Sequence, residues 1–307
     1  MESPVSTSMA EPLLAQPPRE PRRVPALHGL LWLQHGFRMF TAQPVRWAGI
    51  LGLWLWATIL LPALLTASLD YLDRMALIAL QPIGLESIAD VLIKGLEILA
   101  SLPVILLFPL VFAGLMVGCQ AAARGKPLRP GHLLAALDRD PGRLVTVGGM
   151  NLIGQILMAA VIASLLHGRL ADIDAASLSG PHADAVASEV LQRVAGLLPA
   201  LVPVVILQTL LMAAMWFTPP LLAFHDMSAL AAVRASVLAC ARNIGSLSVY
   251  AAAMMVMLFF VGAISLSVQD GGIVFGLIAL LVLCATLTTV IGSVYVSYRD
   301  IFDLPID

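Results

Sequence analysis

Charge is the scarcest commodity in this chain. Of 307 residues only 12% are Asp, Glu, Lys or Arg, against a hydrophobic fraction of 60%. A soluble domain carries about 25% charged residues, so this composition cannot clothe a surface in water. Cysteine is equally sparse: Cys119, Cys240 and Cys284 lie far apart with no Cys-x-x-Cys pair, which excludes a disulfide or zinc framework. The net charge of −2 gives no reason to expect a nucleic-acid partner. Missing too is a signal peptide's apolar core, because MESPVSTSMAEPLLAQPPREPRRVPALHG is broken by Pro12, Pro17, Pro18, Pro21 and Pro25. About residues 1–27 read as a disordered tail.

What is present is hydrophobic length. A crossing needs roughly 20 mostly apolar residues, and six stretches supply them: about 47–67, 98–118, 144–167, 196–218, 246–268 and 273–295, none holding a charge. The reading is an all-α polytopic membrane protein. Six spans form three hairpins in a membrane domain over 28–303, with residues 304–307 a short C-terminal end. Orientation follows from the positive-inside rule. Arg19, Arg22, Arg23, Arg38, Arg46, Arg124, Lys126, Arg129, Arg139, Arg143, Arg234, Arg242 and Arg299 fall on one side; only Arg74, Lys94, Arg169 and Arg193 fall on the other. Both termini are therefore expected in the cytoplasm. On the outer side, the acid-bearing stretch Asp70 to Glu97 predicts a helix lying along the membrane. The short turn at Gln269 to Gly272 predicts that spans five and six touch.

The inner side repeats a pattern. Amphipathic stripes precede spans one (Leu30, Leu33, Phe37, Phe40), three (Leu133, Leu134, Leu137) and five (Leu230, Val233, Val237, Cys240, Ile244). Apolar stripes flanked by Arg suit helices lying in the interface. Each stripe meets a breaker, at Pro44, Pro141 and Asn243, and these elbows lie 97 and 102 residues apart. Two readings stay open: three copies of one unit, or the basic inner loops common to multi-span proteins. Asp140 before Pro141 is read as a helix cap.

Four pieces of sequence carry a resemblance: GFRMF, CQAAARGKPLRPGHLLAAL, MAAMWFTPPLLAFHDMSALAAVRASVLACARN and the closing SVYVSYRDIF. Together they resemble an uncharacterised family of Gram-negative bacterial inner-membrane proteins ending in YxSYRDIF. More distantly, the chain is similar to the membrane domain attached to some glycerophosphodiester phosphodiesterases. The resemblance implies an inner-membrane location and a multi-pass fold; it implies no activity.

The patterns of known chemistry are missing. His28, His35, His132, His167, His182 and His225 form no His-Glu-x-x-His, and no Gly-x-Ser-x-Gly or phosphate-binding Gly-rich loop occurs. No catalytic residue, cofactor site or metal site is expected, and the chain is read as no enzyme. Within the spans Asn151, Gln155 and Gln208 are polar, with no Asp, Glu, Lys, Arg or mid-span His beside them. Ion-driven carriers keep such a group inside the membrane, so the three amides read as bonds between helices. Pro109 in span two and Pro203 in span four suggest kinks bordering any cavity. Tyr295, Tyr298, Arg299 and Asp300 read in two ways. They anchor the last span at headgroup level, with Asp300 or Asp303 paired to Arg299, Arg234 or Arg242, or they recognise a headgroup. Functionally, a structural, regulatory or lipid-organising protein stands first and a lipid transporter or flippase second. The bilayer is the expected partner, alongside a membrane protein or a second copy of the chain.

Overall fold

A computed structural model describes residues 20–80, 86–138, 140–170, 188, 191–192, 195–196, 198–267 and 272–302. It is an all-α membrane protein: no strand occurs among the described residues. Six helical segments are long and apolar enough to cross a membrane: Pro44–Ala76, Ile105–Ala123, Pro141–Leu165, Leu201–Phe224, Ile244–Ile264 and Val274–Phe302.

The breakers do what their chemistry dictates. Helix α1 (His28–Ala42) stops at Gln43, and Pro44 opens α2 (Pro44–Leu55), where a missing N–H costs nothing. A π-helical turn (Trp56–Leu60) passes the chain to α3 (Leu61–Leu80), and the return is the 38-residue α4 (Glu86–Ala123). Residues 70–80 and 86–97 thus continue spans one and two. The separate helix predicted along the outer face is not formed, because nothing within these residues breaks the helical run. Between α4 and α5 (Pro141–Leu170) only a 3-10 turn, Pro130–Leu134, forms. The second of the three expected interfacial helices is therefore a single turn. Then come α6 (Leu198–Trp216), α7 (Thr218–Phe224), α8 (Ala229–Arg242), α9 (Ile244–Ser267) and α10 (Gly272–Phe302). Residues 171–187 and 268–271 lie outside the described residues.

The core sits at the arginine-rich end of the bundle. Trp32, Trp47, Phe217, Leu221, Tyr298, Ile301 and Phe302 are buried there, whereas only 6% of span five's apolar window is covered. Lipid tails are as apolar as Leu and give helices no drive to bury more. Spans five and six do meet, through Tyr250 and Ser293. Span three lies between spans two and four. Pro109 is buried and Pro203 exposed.

Helix α1 packs along α10 and α9 through its small residues. A Cβ on Gly29 would lie 2.4 Å from the Ser246 carbonyl oxygen, and one on Gly36 2.3 Å from that of Thr289. The face turned inward is Gly29, Trp32, Gly36 and Phe40. Of the stripe predicted from large residues, Leu30 and Phe37 stay about half exposed. Helix α8 behaves alike: Ala232, Ser236 and Ala239 are buried, and Leu230 and Leu238 face out. In both helices the docking face centres on small side chains, joined in α1 by Trp32 and Phe40, while Leu30, Phe37, Leu230 and Leu238 face out.

Candidate functional site

Polar groups converge where α10 ends. Asp300 Oδ1 accepts from Arg22 Nη2 at 2.7 Å, and Oδ2 accepts from Trp32 Nε1 at 2.8 Å. His28 Nδ1 lies 2.7 Å from the same Oδ2; a carboxylate only accepts, so Nδ1 carries the proton of that bond. Arg22 also donates Nε to the Asp300 carbonyl at 2.6 Å and its backbone N–H to that of Ile301 at 2.8 Å. Bonds with an ionised donor or acceptor are the strong class, and here three bonds from Arg22 and one each from the His28 and Trp32 rings clasp the last turn of α10.

The strand of chain before α1 is held from its other edge. Asn243, buried at the third elbow, accepts from Val24 N–H and gives Nδ2 hydrogens to the carbonyls of Arg22 and Ala239, each at 2.9 Å. Arg242 Nη1 reaches the Pro21 carbonyl at 3.0 Å and lies 3.6 Å from Glu20. Where an unstructured tail is predicted through residue 27, residues 20–27 are therefore docked; residues 1–19 lie outside the described residues.

Beside this clasp is an aromatic block. Tyr298, fully buried, stacks on Phe224 with centroids 5.6 Å apart, and its hydroxyl lies 2.8 Å from His225 Nε2. Tyr295 packs edge-on against Phe224 at 6.2 Å and carries the Arg299 guanidinium over its ring at 5.8 Å. Deeper still, Ser293 Oγ donates to the Val290 carbonyl, so Tyr250 OH, 2.8 Å away, donates to Ser293. Trp216 and Trp32 flank Tyr250 at 5.8 and 6.1 Å.

A third junction stitches the break that Pro219 and Pro220 make after α6. Ser236 Oγ accepts from Phe217 N–H at 3.0 Å and donates to the Ala213 carbonyl at 2.6 Å. Cys240 lies against the same carbonyl, and burial pushes its thiol up to about 12.

Sequence reasoning named the right helix end and the wrong partners. Asp300 pairs with Arg22 and His28, not with Arg299, Arg234 or Arg242, because docking brings the tail to α10 and leaves Arg234 exposed. Asp303 lies outside the described residues. Tyr295 and Tyr298 are interior residues, not headgroup-level anchors, because α7 covers them. Nor do Asn151, Gln155 and Gln208 join helices: no side-chain bond from them occurs among the described residues, and Gln155 and Gln208 are exposed. Asp140 forms an ion pair with Arg143, which also reaches Asp226. Arg22, Trp32, Ser236 and His225 were missed. The one signal for them was that Arg22 and Arg23 interrupt a proline-rich tail just ahead of a helix with two glycines seven apart.

No family model matches the chain, and no solved structure matches it. It is similar to a probable inner membrane protein of Burkholderia thailandensis, 27% identical over 263 residues that cover 84% of this chain and 79% of that one.

Proposed function

We propose that this protein is a multi-pass component of a bacterial inner membrane, with both termini in the cytoplasm. Its role is non-catalytic: it organises lipid, and partners that sit among it, at the cytoplasmic leaflet. The observation that carries this is the clasp on Asp300. Its two carboxylate oxygens are met by three donors of the chain itself, which is the arrangement of a docking joint. The neighbouring Tyr298–His225 pair is sealed beneath aromatic rings. What faces outward at this end is apolar and basic: Leu30, Phe37, Leu134, Leu137, Leu230 and Leu238 are exposed among Arg38, Arg46, Arg129 and Arg234, the composition of a surface seated at the acyl–headgroup boundary. The name of the Burkholderia relative and the resemblance of the YxSYRDIF ending support the location.

The test is reconstitution into liposomes carrying fluorescent phospholipids. The proposal expects no lipid scrambling above empty vesicles, together with enrichment of anionic lipid around the purified protein. Protein-dependent scrambling would make the chain a lipid pathway instead.

A further inference from the structure

At the first elbow, one side chain knits two basic segments together. Gln43 Oε1 accepts from Leu128 N–H and from Arg46 Nη1, and its Nε2 donates to the Lys126 carbonyl, each at 3.1 Å. The start of α2 is thereby fixed against the loop that leaves α4. That loop is itself braced. Arg129 N–H donates to His132 Nδ1 at 3.1 Å, and Gly114 of α4 lets the 3-10 turn approach so closely that a Cβ would lie 2.3 Å from the Leu133 carbonyl oxygen. Three cations, Arg46, Lys126 and Arg129, therefore emerge from one rigid junction, all exposed. None forms an ion pair among the described residues. Of the described acids at this end, Asp300 is engaged with Arg22, Asp140 and Asp226 with Arg143, and Glu20 with Arg242, while Asp138 stands exposed in the turn that follows Leu134. Beside the cations stand exposed apolar side chains, Val45 at 83% and Leu134 at 56% exposure.

We infer that this junction is a binding site for one anionic phospholipid of the adjoining leaflet. The phosphodiester sits among Arg46, Lys126 and Arg129, and the acyl chains run down past Val45 and Leu134. Basic pockets between spans take such headgroups. The rigid Gln43 node holds the three cations together before lipid arrives, which lowers the ordering cost of binding. The apolar rim commits the site to a lipid over a soluble phosphate. This inference rests on the lipid-organising reading and names where one lipid is held.

Native mass spectrometry of the full chain in detergent, titrated with palmitoyl-oleoyl phosphatidylglycerol, tests it. Neither Lys126 nor Arg129 forms an ion pair among the described residues, and Gln43 bonds to the backbone of this loop, so K126Q/R129Q removes two charges and leaves those bonds in place. R23Q/R74Q removes two exposed charges away from this surface and serves as the control. Phosphatidylglycerol retention is expected to fall about tenfold or more in K126Q/R129Q and to stay near wild type in the control. Millimolar glycerol 3-phosphate, the headgroup without chains, is expected not to compete. Equal losses in both variants, or competition by glycerol 3-phosphate, would overturn the site. A wild-type preference for phosphatidylglycerol over phosphatidylcholine that survives K126Q/R129Q removes the site alone. Absence of any such preference in wild type removes the lipid-organising reading with it.

Discussion

Trp32 shows how much a single side chain does here. It is almost fully buried, gives its only polar hydrogen to Asp300, and presents its ring to Tyr250. Trp32→Phe keeps the packing and leaves Oδ2 to His28 alone. The expected cost is about 1.5–3 kcal/mol, the usual worth of a hydrogen bond to a charged group, read as a lowered melting temperature in detergent. Cys240 offers a chemical check. With its thiol held at about 12, the reactive thiolate is scarce at neutral pH. Maleimide labelling of Cys240 at pH 7.5 is expected to be slow in the folded protein and fast after SDS denaturation. His132 gives a pH test. Burial first, and Arg129 second, lower its pKa from 6.5, and its Nδ1 serves as an acceptor. Protonation therefore favours the unfolded turn: its stability is level above 6.5 and declines as pH falls through that value. His132→Asn is expected to flatten this acid limb of the melting curve. None of these roles was legible in the sequence, because each depends on which distant segment arrives beside the residue.

Elements were far more legible, since they are set by local chemistry. Pro44 and the Arg242–Asn243 pair each end one helix and start the next, Pro141 opens α5, and six apolar runs become six spans. The faces were legible only in part. Of the predicted stripes, Leu30, Phe37 and Leu230 face outward, while Phe40 and Cys240 turn into the core. Gly29, Gly36, Ala232 and Ala239 do the docking, and small residues carry no hydrophobic periodicity to notice. Two substitutions test this. Gly36→Leu places a side chain where backbone already lies within 2.3 Å and is expected to release α1, seen as proteolysis at Arg38 in detergent. Ser236→Ala leaves Phe217 N–H and the Ala213 carbonyl without their bridge across the proline break. About 1–3 kcal/mol of stability should go with it.

At the scale of the whole molecule, the hydrocarbon-facing spans are thinly packed and the basic end is dense. Composition gave the membrane and the six crossings outright. It gave no hint that the proline-rich tail would supply a clasp, because the order of residues 20–27 comes from Asn243 and Asp300, more than two hundred positions away. The account makes that clasp the joint that closes the basic end. Thermal unfolding of wild type, R22Q, D300N and R22Q/D300N in one detergent measures it most directly. Each single change is expected to lower the midpoint, and the double change to lower it by less than their sum, since both remove the same contact. Singles that melt with wild type would contradict the account.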